Sequence, residues 1–217
     1  PSLKKGEVLI KNKFTSICRS QLMEISGNRN NKKWLPHMLG HESVGQVIAM
    51  NDNCKKFKKG DFVIATWINS RGLKSNGGTL KLNGKRLNYG PITTFSKYSI
   101  VSENKLVKKP AELSNKFSPL LGCAIPTGMG IVYNESKPKV NQTILLIGLG
   151  GIGYFSLLAL KFKNCKNIIV ADINNKKKDI ANSFGIKNFF NINKKNDYLF
   201  LKNKYSKKID ICFDNSG

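Results

Sequence analysis

With 217 residues, 40% of them apolar and 9% aromatic, the chain has material for one large or two small globular domains, and no stretch approaches the ~18 consecutive apolar residues of a membrane-spanning helix. The 37 lysines and arginines outnumber 13 acidic residues and leave a net charge of +24. That charge invites a nucleic-acid or anionic-surface reading, but the lysines are dispersed along the whole chain among Asn and Ile, which argues for solvated surface positions instead.

In chain order, residues 7–17 read as a strand, with β-branched and apolar residues in near alternation, followed by Cys18-Arg19-Ser20-Gln21 and a short polar loop with Gly27 and several Asn. Residues 43–50 predict a second strand ending at Asn51-Asp52-Asn53, a turn in which Asn can take positive φ. Phe57–Ile64 predicts a Gly-Asp turn feeding a third strand. Leu80–Leu87 carries Asn83-Gly84 between strand-like flanks, the signature of a type I′ hairpin. Thr94–Val101 is a further strand, and residues 69–91 otherwise read as an exposed lobe without chemistry. Short strands at this spacing with Gly and Asn turns predict a compact β-barrel-like domain.

After Pro126 the pattern changes. Gly128–Tyr133 looks helical, and Thr143–Ile147 is a continuous apolar run of the kind buried on both faces of a parallel sheet. A helix of about 12 residues is expected after Gly153, then a strand over Asn167–Asp172, a helix over Lys176–Phe184 closed by Gly185, and strands at Phe189–Ile192 and Ile209–Asp214. This alternation predicts a doubly wound sheet.

Gly148-Leu149-Gly150-Gly151-Ile152-Gly153 is G-x-G-x-x-G between a predicted strand and a predicted helix, with Asp172 at the end of the next strand. Gly148 suits the tight turn, Gly150 the approach of a pyrophosphate, and Gly153 close packing of helix on strand. The helix N-terminus offers N–H groups to the phosphates. Asp172 would accept the adenosine ribose hydroxyls and repel a 2′-phosphate, favouring NAD over NADP. Lys176, Lys177 and Lys178 follow and could soften that discrimination.

Gly40-His41-Glu42-Ser43-Val44-Gly45 holds one of only two histidines, joined to a carboxylate between glycines. The five cysteines, at 18, 54, 123, 165 and 212, include no Cys-x-x-Cys; their odd count and scattered spacing argue against a disulfide framework and for a reducing, cytoplasmic compartment. A catalytic zinc takes three protein ligands and keeps one position open. Cys18, His41 and Cys123 supply two thiolates and an imidazole for it, with Glu42 beside the histidine as a further ligand or a shuttle during ligand exchange. Cys54, Cys165 and Cys212 read as small buried apolar residues, and His37 as solvent-facing or capping.

Taken together, Glu7-Val8-Leu9, Ile17-Cys18-Arg19-Ser20, Gly40-His41-Glu42-x-x-Gly45, Lys59-Gly60-Asp61, Leu121-Gly122-Cys123, Thr127-Gly128 and the nucleotide loop occur in the order found in the zinc-dependent medium-chain alcohol dehydrogenases, which the chain resembles over nearly its whole length. The resemblance implies an α/β plus β architecture: a GroES-like β-barrel catalytic domain over residues 1–133, then a truncated doubly wound Rossmann domain over residues 134–217. It implies an NAD-dependent zinc oxidoreductase that moves a hydride between an alcohol or aldehyde and NAD(H). One catalytic zinc would sit on Cys18, His41 and Cys123, with Glu42 at or near the metal. Ser20 matches the hydroxyl that bonds the substrate and passes its proton outward, Arg19 a pyrophosphate contact, Thr127 the nicotinamide-packing position, and Trp67 an aromatic residue of the substrate pocket. The full-length protein is expected to be a homo-oligomer.

Several departures from the family pattern shape the expectations. Residues 68–100 hold no cysteine, so a structural zinc is expected to be absent. Gln21 stands where an acid usually orients the zinc-bound histidine, Met23 where some members have a relay histidine, and Asn51 replaces a usual glycine. The chain opens on Pro1 without an apolar signal region and ends after the fourth strand of a fold that normally has six, so the span is expected to be part of a longer protein with poor activity alone. The competing class is a nucleic-acid or anionic-surface binding protein on the same scaffold. A zinc-free reductase of the same superfamily conflicts with the Cys/His/Glu/Cys set.

Overall fold

The computed structural model describes residues 2–29 and 34–216, which fall into two compact units, Pro1–Cys123 and Ala124–Gly217. The Asn-rich loop expected after Gln21 runs into residues 30–33, outside the described residues.

In the first unit, β1 (Glu7–Thr15), β2 (Ser43–Met50), β3 (Phe62–Ala65), β6 (Tyr98–Ser102) and β7 (Leu106–Lys108) form one antiparallel sheet in the order β6-β1-β2-β3-β7. Two register shifts between β1 and β2, at Leu9/Ile10 and Asn12/Phe14, bend the sheet as bulges do. The inward positions Val8, Ile10, Val47, Val63, Val101 and Leu106 close on Phe57 and Ile92 to make the core. Each such aliphatic side chain contributes roughly 1.5–3 kcal/mol on full burial. The remaining strands, β4 (Gly78–Leu82) and β5 (Lys85–Tyr89), form the predicted hairpin, and its two turn residues, Asn83 and Gly84, have φ of 49° and 76°.

Two local expectations need correction. The segment after Cys18 is a helix, α1 (Arg19–Ile25), and not a loop at once. Asn51 is not among the positive-φ residues. Its turn is held by its side chain: Oδ1 accepts the Asn53 N–H at 3.2 Å, and Nδ2 donates to the Leu3 carbonyl at 3.0 Å.

The second unit begins with α2 (Ala124–Gly130), continued by a π-helical segment, Ile131–Ser136. Then β8 (Thr143–Ile147), α3 (Gly151–Phe162), β9 (Asn167–Asp172), α4 (Lys177–Ser183), β10 (Phe189–Asn191), α5 (Lys195–Tyr205) and β11 (Ile211–Asp214) alternate, and the four strands make a parallel sheet in the order β10-β9-β8-β11. Successive residues of β8 face opposite layers. Ile144 and Leu146 pack with Leu157 and Leu160 of α3, whereas Leu145 packs with Ile169, Ala171 and Leu201 of α5. That two-sided burial explains the unbroken apolar run read from the sequence.

The structural division falls at Cys123/Ala124, earlier than the boundary expected at 133/134. The reason is the packing of α2 on α3: the Ser156 hydroxyl donates to the Gly128 carbonyl at 3.0 Å, and a Cβ at Gly128 would lie 2.4 Å from the Ile152 carbonyl oxygen. Cys212, expected to be buried, is exposed on β11, while Cys54 and Cys165 are buried. No helix among the described residues is long and apolar enough to cross a membrane.

Candidate metal centre and nucleotide loop

Three strand ends of the first unit bring the candidate metal ligands together. Cys18 follows β1 and is the N-cap residue of α1, with extended φ and ψ of −97° and 143°. His41 and Glu42 immediately precede β2, and the Glu42 carbonyl is fixed by the hydroxyls of Thr15 at 2.7 Å and Thr94 at 3.3 Å. Beyond β3, the Thr66 hydroxyl donates to the Gly122 carbonyl at 2.8 Å and so fixes the approach of Cys123. Gly122 itself has no room for a side chain: a Cβ there would stand 2.5 Å from the Ala65 carbonyl and 2.7 Å from Glu42 Cβ.

The donor atoms of Cys18, His41, Glu42 and Cys123 all lie within 4.8 Å of one another. Sulfurs on a tetrahedral zinc with ~2.3 Å bonds sit about 3.8 Å apart, so small side-chain adjustments suffice to close this set on one ion. Two thiols and an imidazole are also the donor types that borderline-soft zinc prefers. Contact with Cys123, then with His41, pulls the Cys18 thiol down to about 3 against the opposing effect of burial, and the Ser20 hydroxyl, 3.3 Å from the Cys18 sulfur, adds to the fall. That pull favours the deprotonated sulfur that a cation binds.

Around the ligands, the Trp67 ring meets the His41 ring edge-on with centroids 6.4 Å apart. Lys105, nearly buried, donates to the Trp67 carbonyl and lies over the indole at 5.1 Å. Lys105, Thr15, Thr66 and Thr94 escaped the sequence reading, because nothing in their local sequence distinguishes them from other lysines and threonines. His37 is not solvent-facing: its Nδ1 lies 2.6 Å from the Met38 carbonyl, and its Nε2 lies 3.4 Å from Glu24. Ser20 stands beside Cys18 on α1, and Arg19 is exposed at the start of that helix.

In the second unit, Gly148–Gly153 connects β8 to α3 as predicted, with the helix already begun at Gly151. Gly148 has φ +82°, and a Cβ on Gly153 would fall 1.9 Å from the Gly148 carbonyl oxygen, so the loop closes only with glycine there. By contrast, nothing lies within 4 Å of a Cβ added at Gly150 or Gly151. That open space at a helix N-terminus fits a pyrophosphate. Asp172 is buried at the tip of β9, where its carboxylate accepts the Leu149 N–H at 2.6 Å and the Asn174 N–H at 2.7 Å. Thr127 lies exposed on α2, Ile152 is half-buried on α3, and Lys177 is half-buried at the start of α4.

The alcohol dehydrogenase GroES-like domain family matches residues 4–111. The S-(hydroxymethyl)glutathione dehydrogenase of Escherichia coli strain SMS-3-5 is 32% identical over 215 residues, a match covering 88% of this chain and 58% of the relative. This chain belongs to the zinc medium-chain alcohol dehydrogenase family. Solved structures agree on the fold: benzyl alcohol dehydrogenase from Acinetobacter calcoaceticus superposes with a TM-score of 0.83 at 22% identity, over 100% of this chain and 65% of that one. A protein described as a short chain alcohol dehydrogenase from E. coli CFT073, solved with NADH, gives 0.75 at 22% identity over 100% and 64%. The chain thus spans less than two thirds of the length of these relatives.

Proposed function

We propose that this chain carries the metal centre and the first part of the nucleotide site of an NAD-dependent alcohol dehydrogenase, one that interconverts an alcohol and its aldehyde or ketone. The observation that carries this reading is the convergence of Cys18, His41, Glu42 and Cys123 within 4.8 Å. Cys18, His41 and Cys123 would hold one zinc, with Glu42 as an alternative ligand during exchange. When bound, the zinc supplies Lewis acidity that eases loss of the alcohol proton and polarises a carbonyl in reverse.

The protein's own groups do the rest. Ser20, whose hydroxyl donates to the Cys18 sulfur, would take a hydroxyl proton beside the ligands and pass it outward. Trp67, braced by Lys105, shapes one wall beside His41. For the cofactor, Gly148–Gly153 would cradle the pyrophosphate, Arg19 would add a cation to it, and Thr127 would pack the nicotinamide. Asp172 would take the ribose hydroxyls and so favour NAD over NADP, with Lys177 nearby. A cytoplasmic setting accords with the odd count and scattered spacing of the five cysteines, and homo-oligomerisation of the full-length protein rests on the family resemblance. The relatives reported above are all dehydrogenases, and none supports the nucleic-acid alternative.

The test is metal content by mass spectrometry on the full-length protein, followed by NADH formation with a panel of alcohols. The names of similar proteins put benzyl alcohol and S-(hydroxymethyl)glutathione on that panel. One zinc per chain and NAD-linked turnover that chelation abolishes are expected. A metal-free protein with full turnover would overturn the reading.

A further inference from the structure

Gln21 is buried on α1 beside the metal ligands, and its surroundings dictate which end of its amide points where. The Gly40 N–H, which can only donate, lies 2.5 Å from Gln21 Oε1. The Glu24 carboxylate, an acceptor when ionised, lies 3.4 Å from Nε2, and is itself approached by His37 Nε2 at 3.4 Å. Both neighbours require oxygen toward Gly40 and nitrogen toward Glu24. The amide NH2 therefore also faces His41 Nδ1, 3.0 Å away. As a donor it is satisfied there only if Nδ1 accepts, which in a neutral imidazole puts the ring proton on Nε2.

That arrangement opposes metal binding. With Nδ1 taken by Gln21, Nε2 is the nitrogen left for an ion, and an imidazole ligating through Nε2 carries its proton on Nδ1 and must donate from it. Donor would then face donor. Turning the Gln21 amide relieves this contact but sets its NH2 against the Gly40 N–H and its oxygen against the Glu24 carboxylate.

We propose that Gln21 is a positioning residue that weakens the hold of His41 on the metal, so that this centre binds its ion less tightly than the same centre with an acceptor at position 21. The proposal rests on the metal reading given above. It makes the ion of this enzyme exchangeable, with His41 the ligand that yields.

The test compares the zinc dissociation constant of the full-length protein with that of Gln21→Glu by competition against a chromogenic chelator. Glu keeps an oxygen for Gly40 and offers a second to Nδ1–H. It should tighten zinc at least ten-fold, within the 10–100-fold range by which such partners change metal affinity. An affinity within three-fold of the parent, or weaker, overturns the proposal. Nitrogen-15 histidine spectra of the metal-free parent at mildly alkaline pH, with His41 assigned against His37→Gln, decide the matter even where Gln21→Glu fails to fold. A proton on Nε2 supports the proposal and a proton on Nδ1 overturns it. One zinc per chain with unchanged affinity in the variant defeats this proposal alone, whereas a parent that takes up no zinc defeats the metal reading and this proposal together.

Discussion

Asp172 accepts the Leu149 N–H at 2.6 Å, and this bond ties the glycine loop after β8 to the tip of β9. The parallel register, with Ile147 opposite Ala171, is what brings the two together. The residue expected to read the ribose thus also shapes the glycine loop. Asp172→Ala should lower stability by about 1–3 kcal/mol, the cost of leaving buried N–H groups unpaired, and raise the NADH dissociation constant at least ten-fold. Denaturant unfolding and NADH fluorescence measure the two effects. Loss of affinity without loss of stability would show that the Leu149 and Asn174 bonds do not hold the loop.

Two glycines of the same loop should behave differently. A Cβ on Gly153 would overlap the Gly148 carbonyl at 1.9 Å, so Gly153→Ala should destabilise by about 3 kcal/mol or more. Gly150 has φ −79° and empty space around its missing Cβ, so Gly150→Ala should fold as the parent does. Its methyl would occupy the space proposed for the pyrophosphate, and NADH affinity should fall at least ten-fold, about 1.4 kcal/mol. Equal thermal midpoints for the two variants would contradict this packing.

Removing a metal donor tests the candidate centre directly. Cys18→Ala, His41→Ala and Cys123→Ala should each lower zinc content well below one ion per chain and reduce turnover by at least a hundred-fold, read by mass spectrometry and NADH absorbance. Chelation of the parent should expose the half-buried Cys18 and Cys123 to alkylation, and added zinc should protect them again. Unchanged labelling with and without zinc would place the ion elsewhere.

Tyr89 offers a test of the hairpin's anchorage. Its hydroxyl donates to the buried Glu7 carboxylate at 3.1 Å, and Glu7 also takes the Ser75 hydroxyl at 3.2 Å. Burial first, and the Glu7 charge second, push the Tyr89 phenol up to about 12 from 10.0. Between those two values the folded protein keeps a proton that the unfolded chain has lost, so stability falls as pH rises through that window. Tyr89→Phe should flatten this alkaline loss while costing about 1–3 kcal/mol below it, because the buried Glu7 carboxylate loses one of its donors and keeps those of Ser75 and Lys4. Urea midpoints across the alkaline range would show it, and identical slopes for parent and variant would rule it out.

Where burial is one-sided or complete, the sequence already spoke for the structure. Ser43–Met50, Thr143–Ile147 and Asn167–Asp172 are strands over the predicted residues, because alternation or an unbroken apolar run leaves one arrangement that hides them from water. The turn at Asn83-Gly84 and the Gly148–Gly153 loop were equally legible, since few residues tolerate those backbones. The helices α1 and α5 were not: each buries a single residue, Gln21 and Leu201 respectively, so neither carries a periodic apolar stripe. Residues 124–130 start a helix before the composition changes because contact with α3, not local propensity, decides it.

For the site the division is sharper. Residue chemistry and order along the chain determined which cysteines, which histidine and which acid could serve a metal, and which glycines a nucleotide. Only the tertiary structure decided that Cys18 and Cys123 meet at His41, because strand register and the missing side chain at Gly122 set that distance. It also decided which way the Gln21 amide points. A side chain's type fixes what it can donate or accept, but the direction in which it does so is set by neighbours that the chain supplies only after folding.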